Sequence, residues 1–275
     1  MSKEARQSFR DKVCVVTGAG SGIGRAVAIN LAARGASLAI SDINPASLAE
    51  TVGMIGGSNR VRVDPLDVAD PAAIEPYAAK VRESFGPADF VFNIAGLARI
   101  GRFKDTPLAS FEKVMNVNYW GVVRMTKAFL PQLIETRGCV VNISSLFGMV
   151  GVPGNTHYCS SKFAVRGFNE ALAAEMDEHG VGVVSVHPGG VATNIARAAE
   201  LDALPPDAAS REEVNARFEK LARTPPQRAA EIIVEGAARR RRRVMVGPDA
   251  RIISFVQRLF PASYNRILAP LFSRL

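Results

Sequence analysis

The sequence predicts an α/β fold: a Rossmann-like, doubly wound parallel sheet of about seven strands with helices on both faces. Three observations predict it. Short apolar runs alternate with longer segments of helical periodicity along most of the chain. The first apolar run passes into a glycine-rich turn, Thr17-Gly18-Ala19-Gly20-Ser21-Gly22-Ile23-Gly24, which opens a helix. The 275 residues are 48% hydrophobic and 22% charged, enough for one substantial core, so residues 1–275 are expected to form one domain.

The elements follow in order. Lys12–Thr17 reads as a strand and Gly22–Arg34 as a helix. Ser37–Ser41 is the second strand, followed by a helix over Pro45–Gly53. Arg60–Asp64 and Pro71–Phe85 are the third strand and third helix, and Phe90–Asn93 is the fourth strand. Ser110–Thr136 predicts one long helix that bends before Pro131. Gly138–Ser144 is strand five, His157–His179 a helix, and Gly182–His187 strand six. Pro226–Arg239 is helical and Arg243–Val246 makes a seventh strand. Right-handed crossovers leave the doubly wound sheet as the natural topology. Residues 193–225 break the rhythm. They are rich in Ala, Pro and charge, with Pro205-Pro206 and Pro225-Pro226 as punctuation, and are expected to form a lid over a substrate.

Composition excludes several classes. No apolar run reaches the roughly 18 residues of a membrane span, and the polar stretch Met1–Lys12 lacks the apolar core of a signal peptide. Cys14, Cys139 and Cys159 have no metal-ligand spacing and are odd in number, so neither a metal site nor a disulfide framework is expected. A reducing, cytoplasmic setting fits. The net charge of +8 resides in the C-terminal segment: Arg239–Leu275 holds nine arginines and one acid, Asp249. The remainder is formally neutral, which argues against nucleic acid as a partner.

The glycine turn has the strand–turn–helix context of a pyrophosphate seat, with Gly18, Gly22 and Gly24 allowing close backbone approach. Asp42 ends the second strand 18 residues beyond Gly24, where a carboxylate can hold ribose hydroxyls. It would repel a 2′-phosphate, and no Arg or Lys occupies positions 20–23 or 42–44, so NAD is favoured over NADP. Asp67, after the third strand, is placed to meet the adenine or else to serve as a turn acid. Tyr158 and Lys162 lie four apart on a helix, so they share a face. A phenol titrates near 10 in water. A neighbouring ammonium is expected to lower that value toward the range useful for acid–base catalysis.

In these motifs the chain resembles the short-chain dehydrogenase/reductase family over roughly Lys12 to Pro248. The matching segments are Thr17–Gly24, Asp67, Asn93-Ile94-Ala95-Gly96, Val117-Asn118-Tyr119-Trp120-Gly121, Ser144-Ser145, Tyr158-Cys159-Ser160-Ser161-Lys162 and Pro188-Gly189-Gly190-Val191-Ala192-Thr193. One departure is Ile94, where the family often has a second asparagine. The resemblance implies a catalytic set of Asn118, Ser145, Tyr158 and Lys162. Tyr158 is the proton donor or acceptor and Ser145 holds the substrate oxygen. Lys162 holds the nicotinamide ribose, and Asn118 supports a water relay. It implies cofactor contacts from Gly18, Ser21, Gly22, Ile23, Gly24, Asp42, Asp67, Val68, Asn93, Ala95, Gly96, Tyr158, Lys162, Pro188, Gly189, Val191 and Thr193. The expected chemistry is hydride transfer between a nicotinamide and a carbinol or carbonyl carbon, without a metal.

Leu97, Leu146, Phe147, Met149, Val152 and Asn155 are expected around the substrate. Their apolar character favours a lipophilic secondary alcohol or ketone of steroid-, retinoid- or long-chain type. A small hydroxyketone or diol is the enzymatic alternative, and a non-catalytic dinucleotide sensor or scaffold the alternative of a different class. The two long helices, Ser110–Thr136 and His157–His179, resemble those the family uses to form dimers and tetramers. The C-terminal segment 249–275 places Ile252, Ile253, Val256, Leu259 and Phe260 at helical spacing. After Pro261 come Tyr264, Ile267, Leu268, Leu271, Phe272 and Leu275, with Arg251, Arg258, Arg266 and Arg274 among them. This basic amphipathic stripe either packs over the substrate mouth or a neighbouring subunit, or makes peripheral contact with a membrane.

Overall fold

The computed structural model describes residues 9–57, 60–193, 195, 198–204, 208 and 210–272. The polar start of the chain up to residue 8, Pro205-Pro206, Arg274 and Leu275 lie outside the described residues, as do the side chains of Leu271 and Phe272.

Seven strands form the central sheet: β1 (Val13–Thr17), β2 (Ser37–Asp42), β3 (Val61–Pro65), β4 (Phe90–Asn93), β6 (Cys139–Ile143), β7 (Gly182–Pro188) and β9 (Arg243–Val246). Their order is β3-β2-β1-β4-β6-β7-β9, and every pair is parallel. Buried β-branched runs such as Val13-Cys14-Val15-Val16 suit strands covered on both faces. Helices α1 (Gly22–Ala32), α2 (Pro45–Ile55) and α8 (Pro226–Ala238) cover one face. Helices α3 (Pro71–Phe85), α5 (Gly121–Thr136) and α6 (Thr156–Met176) cover the other. The chain leaves β1 toward β2 and β3, then returns to start β4 on the other side of β1. That reversal opens a crevice at the carboxyl ends of β1 and β4, where sheets of this type bind ligands.

One predicted element is corrected. The long helix begins as α4 (Leu108–Met115), widens into one π-helical turn over Asn116–Trp120, and resumes as α5. The departure from α geometry falls at this turn rather than before Pro131, which sits inside α5. The inserted residue rotates Asn118 inward, where it is fully buried. The stretch 193–225, where the strand–helix rhythm breaks, carries a strand, β8 (Glu200–Leu201), and a helix, α7 (Arg211–Leu221). β8 pairs in parallel with β5 (Arg99–Ile100), a second small sheet. Two further helices, α9 (Pro248–Leu259) and α10 (Tyr264–Phe272), end the described chain.

Candidate active site

A cavity of about 1570 Å³ opens at the crevice. Pockets for drug-sized ligands are roughly 300–1,000 Å³, so this one has room for a dinucleotide together with a second molecule. Its lining joins the glycine turn (Gly18, Ser21, Gly22, Ile23, Gly24) to Asp42, Asp67, Val68, Ala95 and Gly96. It continues through Ser145, Tyr158 and Lys162 to Pro188, Gly189, Val191 and Thr193. Leu97, Leu146, Phe147, Val152 and Asn155 face the same space, as expected for a second ligand.

The turn is built for close approach. Gly18 has φ +67°, and a Cβ there would lie 2.8 Å from the Ala95 Cα. A Cβ on Gly24 would lie 2.0 Å from the Gly18 carbonyl oxygen, so a side chain would push α1 off the turn. Thr17 pins the two loops together: its Oγ1 accepts from the Ile94 and Ala95 amides at 3.0 and 3.1 Å. The result is a narrow backbone floor ahead of a helix N-terminus, the arrangement that receives a pyrophosphate. Asp42 completes it. One carboxylate oxygen accepts from Gly20 N at 2.9 Å and the other from Asn44 N at 3.0 Å, while the group remains in the cavity wall. Arg25 lies close by, but its guanidinium is spent on the Gly20 and Ser47 carbonyls, Thr51 and Glu50. Asp67 spends one oxygen on Ala69 N at 2.8 Å, a turn acid that also lines the cavity.

Around the proposed proton-transfer group, Ser145 Oγ accepts from Phe147 N at 3.1 Å. That leaves the hydroxyl hydrogen free to donate. Burial pushes the Tyr158 phenol up to about 12, against which the Ser145 hydroxyl works. Burial pulls Lys162 down to about 8. The Lys162 Nζ donates to Ile143 O at 3.0 Å and lies 5.7 Å from the Tyr158 ring centroid. Ser145 opposes the rise, and the Lys162 ammonium beside the ring is held by the end of β6. Asn118 is also more committed than expected. Its Oδ1 accepts from Leu97 N at 2.9 Å, and its Nδ2 donates to Leu97 O and Ser161 Oγ. The side chain is absent from the cavity wall and fixes the loop that carries Gly96 and Leu97.

Two more expected residues stand outside the cavity. Asn93 is buried behind the floor, donating to Asn142 Oδ1 at 2.8 Å and Thr126 Oγ1 at 3.2 Å. It braces the strand ends and does not line the cavity. Met149, expected near substrate, is packed inside and likewise absent from the wall. Other contributors gave little sequence signal. Val214, Phe218 and Leu221 of α7 and Ile252, Ile253, Asn265 and Ala269 of the C-terminal helices line the cavity. Asp249, the sole acid of the basic segment, accepts from Gly190 N at 2.6 Å and buttresses the turn after β7. The C-terminal segment thus packs over the cavity mouth. Leu146, Val150, Val152, Ile253 and Leu268 share one apolar cluster, and Tyr264 Oη accepts from Gly151 N at 3.0 Å.

The short chain dehydrogenase family model matches residues 12–204. The chain belongs to the short-chain dehydrogenase family, a family of oxidoreductases. It is 43% identical over 267 residues, 95% of each chain, to SadH of Mycobacterium tuberculosis, provisionally named an oxidoreductase. It is 32% identical over 272 residues to dehydrogenase/reductase SDR family member 7B of Bos taurus, covering 96% of this chain and 82% of that one. A short-chain dehydrogenase/reductase from Burkholderia phymatum, solved in complex with NAD, superposes with a TM-score of 0.84 at 26% identity, over 92% of this chain and 95% of that one.

Proposed function

We propose that the protein is an NAD-dependent dehydrogenase/reductase that interconverts a lipophilic secondary alcohol and its ketone. The observation that carries this reading is that Ser145, Tyr158 and Lys162 open onto the same cavity as the Gly18–Gly24 turn. The glycine floor, Asp42, Asp67 and the Pro188–Thr193 turn are the groups that would hold the dinucleotide. When bound, the nicotinamide supplies the hydride acceptor or donor, which no protein side chain here provides. The chain's own residues handle the proton. In oxidation Tyr158, as phenolate, takes the hydroxyl proton on Oη as the hydride departs; in reduction the phenol returns that proton and becomes phenolate. Ser145 Oγ, already accepting from Phe147 N, donates its hydrogen to the substrate oxygen and so stabilises developing charge. Lys162 Nζ, with one hydrogen on Ile143 O, turns its others to the ribose.

Asp42 in the cavity wall and Arg25 occupied by Glu50 support NAD over NADP. Ile100, Phe147, Val152, Val214, Phe218 and Ile252 in the outer wall support a large apolar substrate over a small diol. Trp120 and Phe163, exposed on the two long helical segments, support assembly of the chain through those helices.

Tyr158→Phe tests the reading. Turnover should fall by about 10²–10⁴-fold, the usual worth of a positioned acid or base, while NADH affinity, read by fluorescence titration, holds. Near-normal turnover in that variant would remove Tyr158 from the chemistry.

A further inference from the structure

The outward side of α9 and α10 is apolar where a helix packed on a domain should be polar. Ile253 and Leu268 turn inward and anchor the pair, whereas Ile252, Phe255, Leu259, Phe260 and Ile267 stand 48–64% exposed. Arg251, Arg258 and Arg266 are exposed among them, and no acid occurs between residues 250 and 275. The inward contacts, including the Tyr264–Gly151 hydrogen bond, hold these side chains out from the body. Ile252 belongs both to this patch and to the cavity wall, so the patch reaches the cavity mouth.

We propose that the α9–α10 face docks on the surface of an anionic lipid bilayer, with the cavity mouth turned toward the lipid. Apolar side chains flanked by arginines match both layers of such a surface: the chains enter the acyl boundary, and the guanidinium groups meet headgroup phosphates. No helix among the described residues is long and apolar enough to cross a membrane, so the attachment is peripheral. A second copy of the same face is a poor occupant, because a two-fold contact would set arginines against arginines with no acid between them. The consequence for catalysis, direct entry of substrate from the bilayer, rests on the lipophilic-substrate reading. The docking itself does not, and it is measured without substrate.

The test is cosedimentation of the full chain with vesicles of phosphatidylcholine alone or with about a third phosphatidylglycerol. Binding should appear on the anionic vesicles, be at least about tenfold weaker on phosphatidylcholine, and fall as salt rises. Phe255→Ser with Leu259→Ser, and separately Arg258→Gln with Arg266→Gln, should each weaken it about tenfold or more. NADH affinity, unchanged in both pairs, reports an intact fold. Absence of binding to anionic vesicles, or binding that survives either pair of substitutions, overturns the proposal. So does a wild-type chain that ignores vesicles but loses its oligomeric state when Phe255 and Leu259 are replaced, which would make the face a subunit contact.

Discussion

Behind Ser145 a buried run of polar side chains crosses the molecule. Asn93 Nδ2 donates to Asn142 Oδ1, Asn142 Nδ2 to Asn169 Oδ1 at 2.7 Å, and Asn169 Nδ2 to Ser185 Oγ at 3.0 Å. Ser185 meets His187 Nε2 at 3.0 Å, and His187 Nδ1 meets Ser145 O at 3.2 Å. With Ser145 O as a pure acceptor, Nδ1 carries the hydrogen, and Nε2 can accept from Ser185, so the neutral ring fits. Burial pushes His187 down to about 4, which agrees. The folded protein therefore binds fewer protons than the unfolded chain between pH 4 and the ordinary histidine value near 6.5. Stability from this site is complete above about 6.5 and is lost as pH falls through 4, by roughly 3 kcal/mol. His187→Gln should flatten the pH dependence of urea unfolding across that window; an unchanged slope would show that other groups set it. None of this run was legible in the sequence. Its members sit on β4, β6, α6 and β7 and meet only in the fold, whereas Tyr158 and Lys162 are one helical turn apart and could be read directly.

At the scale of elements, hydrophobic periodicity exposed all seven strands of the main sheet and nearly every flanking helix, because each signal is local. What it could not expose was pairing across a hundred residues. The β5–β8 ribbon closes the 198–204 segment onto the loop after β4, and Asp202 is its latch. The carboxylate is 2% exposed, pairs with Arg99 Nη2 at 2.6 Å and accepts from Ser110 Oγ at 2.6 Å. Burial pushes Asp202 up, but Arg99 and Ser110 outweigh it and keep the group below its usual range. His157, one residue before Tyr158, is fully buried with its Nε2 3.6 Å from the same carboxylate and no hydrogen bond to it, so the latch lies beside the helix that carries Tyr158. Ile100, Gly101, Ala199 and Ala203 beside it line the cavity. Losing the Asp202 charge leaves the Arg99 guanidinium only the exposed Glu200 as a partner. Asp202→Asn should therefore raise the substrate KM about tenfold or more, speed proteolysis within 193–225 and spare NADH affinity. An unchanged KM would show that the ribbon does not shape the substrate wall. The π turn at Asn116–Trp120 was hidden for a different reason: Val117-Asn118-Tyr119-Trp120-Gly121 is a plausible α-helical sequence, and only the inward demand of Asn118 on Leu97 marks the extra residue.

The whole molecule gathers one cavity from distant parts of the chain. The glycine turn follows the first strand, Ser145, Tyr158 and Lys162 come from the end of β6 and from α6, one wall comes from α7 and the 198–204 segment, and the far wall from the C-terminal helices. Sequence motifs marked the wall proposed to hold the dinucleotide, since backbone approach to a pyrophosphate constrains residue type strongly. The substrate half was only partly legible, since any apolar side chain of suitable size can make a wall. The basic C-terminal stripe left three roles open, and the fold assigns its inner side to the cavity mouth while leaving its outer side apolar and cationic. The central claim joins the two halves: the cavity oxidises a lipophilic secondary alcohol with NAD⁺. The most direct measurement is the rate of NADH formation across secondary alcohols graded in apolar bulk, with NADP⁺ in parallel. The account predicts kcat/KM that climbs with apolar size, by up to roughly tenfold or more per added methylene pair while the wall is still being filled, and a clear preference for NAD⁺. Turnover confined to small diols, equal use of NADP⁺, or no turnover despite tight NADH binding would contradict it.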